Sequence, residues 1–364
     1  MRKVLFEQGG VQLIAFDYLT DEFKAQINST ILGRKGKLRY QHTYGIDKAE
    51  KLQDTQFVQL HWKSQLVGVV AFSLQNLNFQ GLSRSVLYIR YFSMSGLLAK
   101  RQGHHSTKQS ANSGTLKKVI KNLFEDPSNL FPDHQDLLGI YAYVERDNLP
   151  SSRTVEAMGF QQVGNFTTRI YSRINPKKKL EIEIADSNQP LSNDYSSEQA
   201  YKDYHFVQSE DYLSKSGSGK WAKLRMNNEV IASVFYDSNQ WKIKSIPGLT
   251  GCLSRNVLSK IPYLRNIFFD TSFDFITLEM VYLKEEHENK FPHMVESILA
   301  EEEKHHAILW VDPASSLSKK LDSSGKYGII QKISRPTNAG IYFKSLNRNS
   351  LSSAPSYVSA DGIS

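Results

Sequence analysis

The stretch YVERDNLPSSRTVEAMGF, residues 143–160, runs an apolar strand into an asparagine, a Pro-Ser-Ser helix start and a Gly-Phe exit. Upstream, LLGIYAYV at 137–144 has the composition of a buried strand. Ser151 or Ser152 suits a helix N-cap, and Gly159 supplies the left-handed dihedral on which many helices end. A buried strand feeding directly into a short helix is the unit of an α/β fold.

The same object returns later in the chain. HAILWV at 306–311 leads into SSLSKKLDSSG at 315–325, again a Ser-rich start and a glycine end. Working outward, a hairpin at 57–72 (FVQLHWKSQLVGVVAF) is matched at 221–236 (WAKLRMNNEVIASVFY), with Trp221 under Phe57, Leu224 under Leu60 and Asn227-Asn228 under Lys63-Ser64. A third strand follows each hairpin, VLYIRYFSM at 86–94 and FITLEMVYL at 275–283. Next comes an amphipathic helix: Leu116, Val119, Ile120 and Leu123 in one half, Phe291, Met294, Val295, Ile298 and Leu299 in the other. Each half closes on strand-like segments, FQQVGNFTTRIYSRI and YGIIQKISRPTNAGIYFKSL. The order hairpin, strand, helix, strand, helix, strand occurs twice, which predicts a duplicated α/β unit.

These patterns set the expected organisation: a first domain over 1–175, a linker over 176–200 where Pro, Lys, Ser, Asn and Asp replace apolar spacing, a second domain over 201–348, and a disordered tail over 349–364. Cys252 is the only cysteine of 364 residues, which excludes an internal disulfide framework and any multi-thiolate metal site within one chain. A reducing cytoplasm fits. No export signal and no apolar run of membrane-spanning length is found, so no membrane association is expected. The adjacent pairs His104-His105 and His305-His306 cannot both face one site on a regular element, and no metal is expected. The formal net charge of +8 is compatible with plain solvation of the surface.

The strand, asparagine, Ser-start helix and Gly-Phe exit of 143–160 resemble the fifth strand and following helix of the GNAT (N-acetyltransferase) superfamily, whose members move acyl groups from coenzyme A to amines. The resemblance covers nearly the whole chain and implies an α/β (α+β) fold of two tandem GNAT-like domains, each a mixed, strongly twisted sheet flanked by helices. It also implies acetyl-CoA or another acyl-CoA as co-substrate and a small-molecule or peptide amine as acceptor. The family's pyrophosphate loop falls between Met94 and a helix starting near Thr115, where Gln109, Asn112 and Gly114 occupy its three marked spacings, with Ser113 and Thr115 alongside. Amides at a helix N-terminus and the helix dipole both favour phosphate there. The resemblance further places the backbone of Phe92, Ser93 and Met94, together with Asn148 and Ser151, along the pantetheine arm.

The family's usual proton donor, a tyrosine four residues before the helix-ending glycine, is replaced by Val155. Glu145 as base, Ser152 as a hydrogen-bond donor to the sulfur, and Tyr143 beside them are the remaining candidates for the chemistry. The second half departs further: KEEHENKFPHM at 284–294 has no glycine, Glu285, Glu286 and Glu288 would repel pyrophosphate, and Leu321 stands at the tyrosine position. That half reads as degenerate. A non-catalytic binding protein that has kept the fold is the alternative, and the basic segment Lys100 to Lys108 raises a third reading, an anionic partner such as nucleic acid, which the aromatic strand residues nearby do not require.

Overall fold

A computed structural model describes residues 1–33, 36–94, 111–134, 136–186, 197–208, 219–246, 271–333, 337–347, 351–360 and 363. The two expected hairpins form as β4 (Thr55–Trp62) with β5 (Gln65–Phe79), and β11 (Lys220–Met226) with β12 (Glu229–Ser245). Their two-residue turns, Lys63-Ser64 (φ 48° and 62°) and Asn227-Asn228 (φ 51° and 64°), have the positive dihedrals that match the twist of the strands. A bulge interrupts each hairpin at the same place, after Leu60 and after Leu224.

A second pair of bulges matters more. β6 (Leu82–Met94) pairs with β5, and the register slips between Val69 and Ala71, leaving Tyr91 at φ 52°. β13 (Ser272–Leu283) pairs with β12, slips between Ser233 and Phe235, and leaves Met280 at φ 48°. A left-handed non-glycine residue costs roughly 1–2 kcal/mol, and both halves bear that strain at the same step of the fold. The physical effect is to bend the strand where its next neighbour begins to leave it. β7 (Gly139–Glu145) runs parallel to β6 for three pairs, Val86 with Gly139 to Tyr88 with Tyr141, and then the two splay apart. β14 (His306–Val311) does the same beside β13, from Ile276 with Ala307 to Leu278 with Leu309.

With β1 (Arg2–Gln8), β2 (Val11–Phe16), β8 (Gln161–Ser172), β9 (Glu183–Asp186) and β15 (Asn338–Ser345), the sheet runs β1-β2-β4-β5-β6-β7-β15-β8-β14-β13-β12-β11-β9. Two short strands lie off this path: β3 (Arg39–His42) pairs with β12 and β10 (Val207–Gln208) with β5. The order is palindromic about the β15–β8 contact. Each half therefore gives its last strand to the other: β15 pairs with β7 over Ala339 to Ser345, and β8 with β14 over Thr167 to Ser172. The two mixed sheets expected from the repeat merge into one.

Helices α1 (Asp21–Ser29) and α2 (Gly45–Glu50) cover one face of the first half. α3 (Ala111–Glu125) and α4 (Leu149–Ala157) cover the other, with Val119, Leu123, Val155 and Met158 on a core built from Leu87, Ile140 and Val144. In the second half the expected stripe of Phe291, Met294, Val295, Ile298 and Leu299 on α6 (Phe291–Glu301) is fully buried. Roughly 1.5–3 kcal/mol per such side chain explains why this short helix forms at all. Part of the expected linker is structure: β9 edges the second half beside β11, the amides of Lys179 and Leu180 donate to Ser297 Oγ (2.9 and 3.0 Å), and α5 spans Ser197–Ala200.

Two expectations are corrected. GIIQKIS, expected as strand, is instead the short helix α8 (Ile329–Ile333), which follows α7 (Ser316–Ser324). It covers the edge of β8 that β15 does not reach: Ile170 N donates to Gln331 Oε1 (2.7 Å) and Ser172 N to Tyr327 O (2.8 Å). The tail, expected to be disordered because it lacks periodicity, is ordered over 351–360, with Tyr357, Val358 and Ala360 buried. A segment threaded through a core satisfies its amides on neighbouring groups and needs no period of its own.

Gly328 (φ 117°) sits where a Cβ would meet Ser172 O at 2.2 Å, whereas Gly81 (φ 81°) has open space around it. Gly81→Ala is expected to cost about 1 kcal/mol from the dihedral alone, and Gly328→Ala about 3 kcal/mol because backbone overlap is added. Urea unfolding midpoints of the two variants test the ordering.

Candidate functional site

The first splay lies where β6 and β7 part. Beyond Tyr88 the ladder between them stops while β6 continues to Met94. Ser93 and Met94 still pair with Val69 and Gly68 on the other side. Phe92, 40% exposed just after the bulge, borders an apolar groove between the sheet and α3, with Leu13, Leu60, Val70, Leu123 and Phe124 among its walls. The groove is shallow, with a cavity volume of only about 20 Å³.

At the far side of the splay, the strand of 139–145 enters α4. Asn148, rather than Ser151 or Ser152, is the N-cap: its Oδ1 accepts from Ser151 N at 3.4 Å. The reason is Pro150, which occupies the first turn and forces the cap to precede it. Ser151 and Ser152 consequently lie inside the helix. Ser152 is buried, and among the described residues its hydroxyl has no partner. Gly159 (φ 88°) ends the helix and Phe160 enters the core as read from the sequence. Val155, at the position of the family's tyrosine, packs into the same core.

Asn112, Ser113, Gly114 and Thr115 lie at the start of α3, helical from Ala111 and so ahead of the start expected at Thr115. Only amides at the very start of a helix lack intrahelical partners, so the earlier start leaves Asn112 and Ser113 as donors for the phosphate reading and turns the amides of Gly114 and Thr115 into the helix. Gln109 lies outside the described residues, as do Lys100 to Lys108.

The opposite face of the splay is aromatic and polar. Tyr88 stacks on Tyr141 (4.6 Å), Tyr143 meets both (5.3 and 5.7 Å), and the Tyr141 hydroxyl donates to Gln75 Oε1 (2.5 Å). Arg90, buried, lies over the Tyr88 ring at 5.0 Å. The Tyr143 hydroxyl accepts from Ser359 N of the tail (3.4 Å), and the Ser93 hydroxyl accepts from Gln26 Nε2 of α1 (2.9 Å). Glu145 ends β7 near Tyr40, whose phenol is pushed up first by burial and then by that carboxylate. Tyr40 stacks on Trp241 (4.2 Å), so a second-half strand supports this first-half group. Sequence reading missed Arg90, Tyr40 and the tail. A signal existed for Arg90: it is a charge inside an apolar strand, and at the same step of the repeat stands Glu279, also buried.

The second half differs at each corresponding point. Its strand-to-helix exit makes the same turn: Ser315 N returns to Asp312 O (3.0 Å) as Asn148 N returns to Glu145 O (2.8 Å), and Ser315 caps α7. Before α6 the turn Glu288–Lys290 sets a carboxylate beside the helix start, where phosphate would sit in the first half.

Structures of Saccharomyces cerevisiae N-myristoyltransferase are similar to the chain over nearly its whole length. One, with bound myristoyl-CoA, aligns with a TM-score of 0.57 at 8% identity, covering 94% of this chain and 84% of that one. Another, with bound myristoyl-CoA and inhibitors, aligns at 0.50 and 9% identity over 94% and 81%. A GCN5-related N-acetyltransferase from Anabaena variabilis gives 0.46 at 8% identity over 92% and 73%. No protein-family profile and no curated protein matches the sequence. The fold is the duplicated GNAT-type fold that residues 143–160 implied. Among the described residues no helix is long and apolar enough to cross a membrane.

Removing an unpartnered buried hydroxyl relieves desolvation, so Ser152→Ala is expected to leave stability unchanged or raise it by up to about 1 kcal/mol. Asn148→Ala, which deletes a cap, should cost about 1 kcal/mol. Thermal melts of the two variants check both signs, and a clear loss in Ser152→Ala would assign that hydroxyl a structural bond.

Proposed function

We propose that the chain is an acyl-CoA-dependent N-acyltransferase, with the donor bound by the first half and an amine as acceptor. The observation that supports the reading is the splay of the first half beside two helices: β6 and β7 part beyond Tyr88 next to the Tyr91 bulge, β7 runs into the Asn148-capped α4, and α3 packs on the same face of the sheet. These groups suit an extended amide-containing arm ending in phosphates. The similarity to N-myristoyltransferase with bound myristoyl-CoA supports the donor class, and acetyl-CoA is the donor we propose.

In the transfer the amine nitrogen attacks the thioester carbonyl carbon, the C–N bond forms, the C–S bond breaks, and the nitrogen gives up one proton while sulfur takes one. Glu145 is the base on the aromatic face, and Tyr143, in place of the tyrosine missing at 155, returns a proton to sulfur. A hydrogen bond donated by Ser359 N fixes the Tyr143 hydroxyl in place. Ser152 offers its hydroxyl to the sulfur from the opposite face. The alternative, a binding protein without catalysis, draws on Val155 and Leu321, both core residues where the family has its acid.

Calorimetric titration with acetyl-, octanoyl- and myristoyl-CoA is expected to show saturable binding, weakened about tenfold or more by Gly114→Asp, whose charge would face the phosphates, and unaffected by Gly325→Asn in the second half. No binding of any of the three at millimolar concentration would sink the proposal. Glu145→Gln is expected to keep acyl-CoA binding while kcat for the best amine falls about 10²–10⁴-fold. An unchanged kcat would remove Glu145 from the chemistry, and binding without turnover of any amine would favour the non-catalytic reading.

A further inference from the structure

The second half carries the same splay as the first, and the chain itself fills it. Tyr357 is 4% exposed and shares a core with Met280 and Val281 of β13 and Leu317 of α7. Its hydroxyl donates to Glu279 Oε2 (2.9 Å), and its ring meets Tyr201 edge-on at 5.3 Å. The backbone is held as firmly. Ser356 N donates to Asp312 Oδ2 (2.9 Å), His205 N to Pro355 O (2.9 Å), and Tyr357 N to His205 O (2.8 Å), so that 355–357 lies as a short parallel strand beside His205. Ser359 Oγ reaches Gln208 Oε1 (3.0 Å) and Glu279 Oε2 (3.2 Å). Even the carbonyl just past the bulge, Val281 O, is taken, by the Tyr201 hydroxyl (2.9 Å).

We infer that residues 355–360 are the resident ligand of the second splay, an extended peptide occupying in that half the place the first half leaves to an acyl-CoA arm. The chain is then a one-donor protein with a built-in peptide in its second notch. The parallel with acyl-CoA rests on the proposed function, but the peptide site does not. Charge separates the two notches. Before the bulge the first half has Arg90 and the second has Glu279, and after the fifth strand the second half adds the buried Asp312. Two buried carboxylates accept N–H and O–H donors from a peptide and repel a ligand carrying phosphates. Burial of an aromatic anchor with its hydroxyl satisfied gives the site a preference for tyrosine at position 357.

The test uses the full chain with a protease site placed between Asn347 and Leu351 and cut after folding. The freed segment is expected to co-elute with the body of the protein on gel filtration and to be displaced by a labelled synthetic peptide of residues 351–364. The same peptide with Tyr357→Ala should require about thirtyfold or more higher concentration. A body that stays folded by cooperative melting yet releases its tail and rebinds neither peptide, or binds both equally, overturns the inference. Should cutting unfold the protein, hydrogen exchange on the uncut Tyr357→Phe chain decides: amides of Ser356, Tyr357 and Ser359 are expected to exchange about tenfold faster than in the parent while those of Ile308 and Leu309 hold, and unchanged tail exchange overturns it. Acetyl-CoA titrated into uncut and cut protein should give one site in each. A second site on cutting contradicts a peptide notch, whereas no site in either counts against the proposed function and leaves the peptide result standing.

Discussion

Everything in this fold turns on what happens when two parallel strands stop pairing. A ladder that ends in the interior of a sheet leaves peptide N–H and C=O groups facing a gap, and buried groups of that kind must find partners. The bulges at Tyr91 and Met280 open such a gap in each half, at the cost of a left-handed residue each. The cost recurs because the gap is useful: it presents backbone donors and acceptors beside the starts of two helices. The two halves then answer the same constraint differently. In the second, the Tyr201 hydroxyl takes the carbonyl of Val281 and the tail packs alongside, its Tyr357 hydroxyl on Glu279 and its backbone on His205 and Asp312, while the described residues of the first half include no such peptide.

Exchange of the closing strands makes the halves interdependent. With β15 between β7 and β8, the strand that presents Tyr143 and Glu145 is braced by residues nearly 200 positions later, Ile341 opposite Tyr143 and Ala339 opposite Glu145. Tyr40 reaches Glu145 from a strand paired to the second half. The second half thus supports the geometry of the first, and its own helix start differs in charge, with Glu285 and Glu288 ahead of α6.

Local chemistry was legible in the sequence, and long-range placement was not. The hairpins, the buried stripe of α6 and the strand-helix exit at 139–160 follow from periodicity, turn residues and one proline, all short-range signals. Even there the cap moved from Ser151 to Asn148, because Pro150 sets the first turn and both polar types can cap. The strand exchange left no trace, since β8 and β15 have the same pattern whether they close their own half or the other. The tail illustrates the limit most clearly. LSSAPSYVSADGIS has neither helical nor strand period, and its order comes from Asp312, Glu279 and His205, three residues scattered over more than 100 positions whose convergence only the fold creates.

Duplication also explains why buried charge marks the site. A repeat that keeps its backbone geometry can differentiate only through side chains at equivalent positions, and the residue before the bulge is buried and charged in both halves. Arginine at 90 and glutamate at 279 give the two gaps opposite signs. A buried guanidinium requires anions or aromatic faces, which the tyrosines supply, and a buried carboxylate requires donors, which Tyr357 and Ser359 supply. Once the second gap has recruited the tail, the amide of Ser359 reaches back to the Tyr143 hydroxyl, so occupation of one notch fixes a polar group at the other. The asymmetry between the halves is in this sense part of how the first half is built: its aromatic face is completed by the peptide that closes its twin.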